Sequence, residues 1–257
     1  MRRIVLEQPV SRAATWAGRL ALFAAVVTLY GVLVVRSGQH GPPGLAALGS
    51  GFVLALISSL LATFAGLAIW THGLRGAGRV VFALLLAMLL LAVPAYVGFQ
   101  YLRLPQINDI STDIEDPPSF SRSRAALAAR DGHVPPERSR ESRLPQREAY
   151  QRIIPVILEL PAEEAYLVVQ KAVANLGWRV IEQSPPGART GTARIEAIAT
   201  TRILRFPDDV TIRIRPRLEG SRVDIRSASR LGHHDLGVNA GRIQAFADEI
   251  QALVTAR

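Results

Sequence analysis

The sequence predicts an α+β protein in which three N-terminal transmembrane helices precede a soluble domain, an antiparallel sheet covered by helices. Three long runs of residues are almost free of charge, and each exceeds the ~20 apolar residues that cross a hydrocarbon core as a helix. From residue 151 onward, short β-branched segments alternate with two amphipathic segments. This order predicts strand, helix, four strands and helix.

Only Arg19 interrupts the three apolar runs, which cover residues 13–35, 46–71 and 80–101. A basic start followed by an apolar run is also typical of a cleaved signal peptide, but such a peptide is shorter and ends at a small-residue cleavage site. The first run is long, lacks that site and is followed by two more spans, so we expect it to stay as a helix. Because the runs contain no acidic residue, lysine or histidine, we do not expect a transport pathway.

Arginines near the ends of the spans lie mainly on one side of the membrane. The N-terminal tail and the second loop together carry Arg2, Arg3, Arg12, Arg75 and Arg79. The first loop and the residues after the third span carry only Arg36 and Arg103. Cytoplasmic loops hold the excess of basic residues, so the N-terminus is predicted to be cytoplasmic. In a bacterium, this topology places the protein in the inner membrane and its C-terminal domain in the periplasm.

The net charge of +9 does not predict nucleic-acid binding. Residues 1–102 hold seven arginines against one acidic residue, which is +6, so much of the excess is the topology signal. Residues 103–257 hold 23 basic and 20 acidic residues and no recognised nucleic-acid motif. Cysteine is absent, which excludes disulfides, thiol nucleophiles and thiolate metal sites. Nothing in the sequence predicts a cofactor.

A connector, residues 103–150, lies between the membrane region of residues 1–102 and the α+β domain of residues 151–257. Four of its carboxylates could bind a hard cation, but their spacing fits no known metal loop, and we expect an acidic connector without a metal. They are Asp109, Asp113, Glu115 and Asp116. Residues 121–147 are rich in arginine, alanine, serine and proline, which predicts a mobile or loosely draped segment. Its arginines could touch anionic lipid head groups.

The α+β domain begins with a β-branched segment, residues 153–158, that predicts a buried strand. Pro161 then opens a segment whose apolar residues recur at helical spacing. Strands are predicted around residues 178–183 and 192–203, separated by a proline-rich turn. A second apolar stripe at helical spacing predicts the final helix.

The next two strands are predicted to form a hairpin, because apolar and polar residues alternate on either side of Glu219-Gly220. With those two residues as the turn, the glycine supplies the positive φ that a two-residue loop requires. This register predicts four pairs across the hairpin: Ile214 with Ile225, Arg215 with Asp224, Asp209 with Arg230, and Arg226 beside Arg213.

The densest group of polar residues begins in the second strand of that hairpin, where residues 223–243 read VDIRSASRLGHHDLGVNAGRI. Residues 206–210 read Phe-Pro-Asp-Asp-Val, and in the connector residues 109–113 read Asp-Ile-Ser-Thr-Asp and 116–120 read Asp-Pro-Pro-Ser-Phe. Together these motifs resemble the signature of the membrane proteins that carry the domain of unknown function 1499, in the branch with three spans. The resemblance implies that residues 109–120 pack onto the folded domain. It implies no chemistry, and this chain lacks the cysteine pair that other members carry.

One interpretation of the 223–243 segment is an anion site. Small residues at the end of the strand leave room below the following helix, and arginines with free helix amides can hold a phosphate or carboxylate. The candidate ligand-binding residues are Arg226, Ser227, Ser229, Arg230, His233, Asn239 and Arg242. The protein would then be a non-catalytic envelope module beside the lipid bilayer, and it would bind a small anionic or lipid-like ligand or an envelope protein partner.

A second interpretation is a hydrolase-type enzyme. One histidine of the pair His233-His234 would act as general base, oriented by an aspartate such as Asp208, Asp209 or Asp235. The nucleophile would be Ser227 or Ser229. No Gly-x-Ser-x-Gly elbow accompanies these residues.

A third interpretation is a structural polar network. Asp209 would pair with Arg230, Asp235 would cap the final helix, and Asn239 would tie down the loop by side-chain hydrogen bonds. The residues of this network are Asp208, Asp209, Arg215, Asp224 and Asp235. No metal ligand set is predicted.

Overall fold

The computed structural model describes residues 8–137 and 143–256. These residues fall into two compact units, one within residues 8–99 together with 203–205 and the other within residues 100–202 and 206–256. The first unit is helical, and the sheet belongs to the second.

Three long helices begin the chain and confirm the predicted apolar spans. They are α1 (Arg12–Arg36), α2 (Pro42–His72) and α3 (Ala77–Arg103), and each is long and apolar enough to cross a membrane. Ser11 begins α1, since its hydroxyl oxygen accepts a hydrogen bond from the Ala14 amide at 3.2 Å. Gly73 ends α2 in the left-handed conformation, at φ 64°.

Small residues bring α1 and α2 close together. A Cβ added at Gly31 would lie 2.5 Å from the Cα of Leu48, so only glycine fits there. Ser58 donates a hydrogen bond across the interface to the Ala17 carbonyl at 3.0 Å. Such close backbone approach is how apolar helices associate where lipid removes the hydrophobic driving force.

The second unit confirms the predicted order of elements. After residue 151 it contains strand, helix, four strands and helix, and the connector adds a further strand and two short helices. In chain order the elements are β1 (Asp109–Ser111), α4 (Arg124–Ala129), α5 (Arg143–Ala149), β2 (Val156–Leu158), α6 (Ala162–Asn175), β3 (Arg179–Ser184), β4 (Ala193–Thr200), β5 (Pro207–Arg217), β6 (Gly220–Ser229) and α7 (Val238–Thr255).

The strands form one antiparallel sheet in the order β1-β6-β5-β4-β3. The short strand β2 also pairs with β6, at Val156 opposite Val223, whereas β1 pairs farther along, at Ile110 opposite Ser227. Because both short strands use the same edge of β6, they lie end to end with a break between them.

One face of the sheet packs against α6 and α7. Alternate strand residues such as Ile195, Ile212 and Ile225 are fully buried on it, together with Phe246 of α7. The Trp178 ring stacks on Phe246, with centroids 5.6 Å apart. Full burial of each aliphatic side chain stabilises the fold by about 1.5–3 kcal/mol.

The opposite face of the sheet is polar, and it is buried too. Glu196, Asp209, Thr211 and Arg226 are each at most 3% exposed. Residues 109–137, here called the strap, cover them; for example, the Thr211 hydroxyl donates to the Ser119 carbonyl at 3.4 Å. Buried polar groups need hydrogen-bond partners, so the strap must supply them.

The prediction of a mobile or draped segment at residues 121–147 is wrong for its described part. Residues 124–129 and 143–149 form α4 and α5, and Ala126 and Arg130 are buried. Composition indicated disorder because few of these residues are apolar, but the sheet offers them a polar face rather than an apolar one. Residues 138–142 of the predicted segment lie outside the described residues.

The predicted hairpin register is wrong by two residues. Leu218 and Glu219 form the turn, and Arg217 pairs with Gly220. The observed pairs are Ile214 with Val223, Ile212 with Ile225, Arg213 with Asp224, Asp209 with Ala228, and Thr211 with Arg226. A shift of two keeps every side chain on its predicted face, because the side-chain period of a strand is two.

The position of Gly220 explains the register. Its φ is +93°, while neither turn residue has a positive φ, so the glycine follows the turn instead of forming it. A Cβ on Gly220 would also lie 2.0 Å from the Leu158 carbonyl oxygen of β2. The glycine is therefore required both by its backbone conformation and by the close approach of a neighbouring strand.

Gly220→Ala is expected to lower the free energy of unfolding by more than Gly232→Ala. Gly232 also has a positive φ, +75°, but nothing lies within 4 Å of a Cβ there, so that control loses only the left-handed strain of about 1–2 kcal/mol. The measurement is urea unfolding of the full-length protein in detergent, followed by Trp178 fluorescence after Trp16 and Trp70 are replaced by phenylalanine. Equal losses would contradict the close approach of β2.

Candidate functional site

The sheet separates the residues that the sequence proposed as one site. Ser227 and Ser229 lie on the face of β6 that α7 covers, where both bond to Asn239. Arg226 lies on the strap face, where it bonds to Asp109. The seven proposed ligand-binding residues therefore do not share one pocket.

On the α7 side, Asn239 is the centre of a buried network. Its side-chain amide donates to the Asn108 carbonyl at 3.0 Å and to the Ser229 hydroxyl at 2.9 Å, while the Ser227 hydroxyl donates to its oxygen at 2.7 Å. Arg242 donates to the same oxygen at 2.7 Å and to the Asp208 carboxylate. Burial raises the pKa of Asp208, and the Arg242 charge offsets only part of that effect.

Asp235 satisfies the first amides of α7, as predicted, although it is not the residue immediately before the helix. That residue is Gly237, at φ 82° and with no side chain to cap with. The Asp235 carboxylate accepts from the Gly237 amide at 3.1 Å and from the Asn239 amide at 2.8 Å. Burial raises its pKa, and these two backbone hydrogen bonds oppose the rise. A carboxylate of the chain thus occupies the place where an anion would bind.

On the strap side, Arg226 is bonded on all sides. Its Nη2 donates to Asp109 at 2.6 Å and to the Pro136 carbonyl at 2.8 Å. Its guanidinium carbon lies 4.8 Å from the centroid of the Phe120 ring, a cation–π distance. Residues 109–120 of the strap are therefore held to β6 by an ion pair and by a cation–π contact.

The most buried ion pairs involve Arg130, which sequence reasoning missed. Arg130, Glu196 and Asp209 all have fully buried side chains. Arg130 donates to Glu196, and its Nε donates to Asp209 at 3.1 Å. Burial raises the pKa of Glu196, and the Arg130 charge opposes it. One signal was available: Glu196 is the only acidic residue of β4 and lies between Ile195 and Ala197, so a buried partner could be expected.

Asp209 also makes the predicted ion pair with Arg230, at 2.8 Å and 3.1 Å, although Ala228 is its opposite residue. The pair forms diagonally between strands, within reach of a long arginine side chain. Asp209 therefore accepts from two guanidinium groups at once.

A third cluster joins the strap to the turn end of the hairpin. Asp224 accepts from Arg215 at 2.7 Å, as expected, and from Arg222 at 2.7 Å. Asp113 accepts from the same two arginines. Burial tends to raise the Asp113 pKa, but the Asp116 amide and the Arg222 charge outweigh it and the pKa is lowered. Within residues 8–137 and 143–256, no group of three histidine, aspartate or glutamate residues is arranged to hold a metal ion.

Within the part of the chain that the structure describes, neither His233 nor His234 forms a hydrogen bond to a serine. His233 is exposed in the loop before α7, while His234 Nδ1 accepts from the Leu236 amide at 3.0 Å. The serine hydroxyls bond instead to Asn239, Arg242 and Asp208. A general base next to a serine nucleophile is not formed among these residues.

A cleft of about 420 Å³ lies at the break between β1 and β2, here called the sheet-edge cleft. Its apolar lining comes from Ile114, Tyr150, Ile153, Ile154 and Pro155, and its charged lining consists of Asp113, Glu115, Arg147 and Arg222. Burial and the nearby Asp235 charge raise the pKa of the Tyr150 phenol to about 12. No signal in the sequence indicated this cleft, because its residues come from separate segments.

Comparison with known proteins places the strap and the sheet in one family domain. The sequence model of the family described as "Protein of unknown function (DUF1499)" matches residues 109–250. Among solved structures, "Crystal structure of the vertebrate conserved region (VCR) of human METTL16" is similar at 14% identity and a TM-score of 0.26. That match covers 36% of this chain and 74% of that chain, and a TM-score this low carries no structural argument. No curated protein matches the chain.

Arg130→Met is expected to lower the free energy of unfolding by about 3–5 kcal/mol, because it leaves the buried Glu196 carboxylate without a guanidinium, while Asp209 keeps Arg230. The matched control is Arg147→Met, which removes the exposed ion pair with Glu115 and should cost less than about 1 kcal/mol. Adding Glu196→Gln to Arg130→Met should recover part of the loss. Urea unfolding followed by Trp178 fluorescence measures all three, and similar losses for the two single variants would contradict a buried network.

Proposed function

The chain belongs to the DUF1499 family, and we propose that its C-terminal domain is a non-catalytic module that binds a small amphipathic anion beside a membrane. Three helices apolar enough to span a bilayer precede that domain. The observation that carries the proposal is the sheet-edge cleft, whose apolar lining and exposed Arg147 match the two parts of such a ligand.

The cleft has the size and lining of a small-molecule site. Its volume of about 420 Å³ falls within the range of roughly 300–1,000 Å³ that is usual for ligand pockets, which are mostly apolar with a few polar groups. Ile154 lines it with 64% of its surface exposed. An aliphatic chain that covered Ile154 would remove this apolar surface from water.

Arg147 is the arginine of the cleft that a ligand can reach, because Arg222 is already paired with Asp113 and Asp224 at 2.7 Å each. Arg147 is 61% exposed and pairs with Glu115, which is 69% exposed. An exposed ion pair contributes at most about 1 kcal/mol, so an anionic head group can replace Glu115 at little cost. Arg226 is 3% exposed, and removing the partner of a buried charge costs about 3–5 kcal/mol.

The signature itself is better explained as structure. Its serines, arginines and Asn239 bond to one another and to carboxylates of the chain. This pattern supports the structural interpretation over the anion site and does not favour a hydrolase. We therefore propose the sheet-edge cleft, and not residues 226–242, as the ligand site.

For its location, we propose a bacterial inner membrane, with the N-terminus in the cytoplasm and the C-terminal domain in the periplasm. The support is the distribution of arginines between the two sets of loops. This orientation puts the cleft in the envelope, where amphipathic anions such as lipid fragments are present.

Ile154→Asp is expected to reduce the amount of co-purified amphipathic ligand at least tenfold, because a carboxylate repels both the chain and the head of such a molecule. Tenfold corresponds to about 1.4 kcal/mol. The matched control is Leu167→Asp on α6, since Leu167 is also exposed, at 58%, and does not line the sheet-edge cleft. Full-length protein in one detergent is extracted with organic solvent and the extract analysed by mass spectrometry. The same extract from wild type and both variants would rule out the cleft as the binding site.

A reporter enzyme that works only outside the cytoplasm is expected to be active when fused after Arg257. Fused after Gly76, in the loop between α2 and α3, it should be inactive, because that loop carries the basic residues of the cytoplasmic side. Activity on plates and immunoblots of both fusions provide the measurement. The reverse pattern, with both fusions expressed, would contradict the orientation.

A further inference from the structure

We propose that the loop between β4 and β5, residues 201–206, contacts the surface of an anionic lipid bilayer. The loop reads Thr-Arg-Ile-Leu-Arg-Phe, with two adjacent aliphatic residues between two arginines and no acidic residue. Aliphatic side chains enter the boundary between head groups and acyl chains, while guanidinium groups stay with lipid phosphates. The order of residues in the loop suits that boundary.

The loop is held in a shape that exposes its centre. Its ends are joined by two hydrogen bonds of 3.0 Å, from the Thr201 amide to the Phe206 carbonyl and from the Phe206 amide to the Thr201 hydroxyl. Arg205 has a φ of +57°, a conformation that non-glycine residues rarely adopt. Ile203 is 62% exposed. A closed loop with an exposed isoleucine at its centre does not contribute that side chain to the core.

The loop lies at the end of the sheet where the chain enters the domain. Thr200 pairs with Pro207 on either side of the loop, and the next residue, Asp208, pairs with Ser229. The Ser229 amide donates to the Asn108 carbonyl at 2.8 Å, so the residue preceding β1 is at this end. Between the last residue of α3 and Asn108 the chain can extend by at most ~18 Å.

This short tether decides which partner the loop would meet. A surface joined to a membrane helix by so few residues stays at high effective concentration near lipid. The arginines complement the negative surface of anionic lipids, which attracts basic residues close to the bilayer. A lipid surface is therefore the occupant that both the tether and the charge favour.

Contact between this loop and lipid does not depend on ligand binding in the sheet-edge cleft, because none of residues 201–206 lines that cleft. The chain has no cysteine, so Ile203→Cys provides a single site for a nitroxide label. The matched control is Leu218→Cys, in the turn at the other end of β5, where the side chain is fully exposed. At about 3.3 Å per residue, that strand separates the two labels by roughly 30 Å.

Full-length labelled protein is reconstituted into vesicles of phosphatidylcholine with phosphatidylglycerol, and collisions with oxygen and with a water-soluble nickel chelate are measured by electron paramagnetic resonance. The label at position 203 is expected to have the higher ratio of oxygen to nickel accessibility, since oxygen concentrates in lipid. Equal ratios at positions 203 and 218 would overturn the proposal. An unchanged unfolding midpoint shows that the labelled variants are folded.

The charge part of the proposal is tested with Arg202→Gln and Arg205→Gln together, in the Ile203→Cys background. The accessibility ratio is expected to fall in vesicles that contain phosphatidylglycerol and to change less in pure phosphatidylcholine. An identical ratio with and without the two arginines in the anionic vesicles would overturn the requirement for anionic lipid.

Discussion

The C-terminal domain depends on one buried guanidinium, that of Arg130, placed between carboxylates on two adjacent strands. Arg130, Glu196 and Asp209 have no exposed side-chain surface, and taking each such charge out of water costs several kcal/mol unless it is paired and hydrogen-bonded. A domain without the strap would leave Glu196 without its guanidinium and Asp209 with Arg230 alone. The strap and the sheet are therefore expected to fold as one unit, which agrees with a family match that starts at the first residue of β1.

The same constraint gives the residues of the signature a role without chemistry. On the strap face, Arg226 and Arg230 each meet a carboxylate of the chain, and on the other face Asn239 and Arg242 connect α7 to β6. A segment that covers a polar face through ion pairs tolerates less displacement than a segment that covers an apolar face. Each charged or polar group that loses its partner adds a desolvation cost. Such a network specifies one position for the strap and one for the helix.

This arrangement also indicates where binding can take place. Groups that are buried and paired are costly to redirect to a ligand, whereas exposed pairs and exposed aliphatic residues are not. The sheet-edge cleft and the β4–β5 loop have those exposed features. The cleft offers an apolar lining with the exposed Arg147, and the loop offers an apolar centre between arginines. Both are compatible with a domain that three apolar helices attach to a membrane.

The sequence by itself determined the three apolar helices, the order of strands and helices, and the face on which each hairpin side chain lies. These follow from local composition and from periods of 3.6 and two residues, which a single segment displays without its neighbours. Only the tertiary structure decided the hairpin register, the burial of residues 109–137 and the partners of Arg130. In each case the reason lies in a distant segment. The strand β2 approaches Gly220, and the polar face of the sheet supplies hydrogen-bond and ion-pair partners for the strap, whose composition is that of a linker.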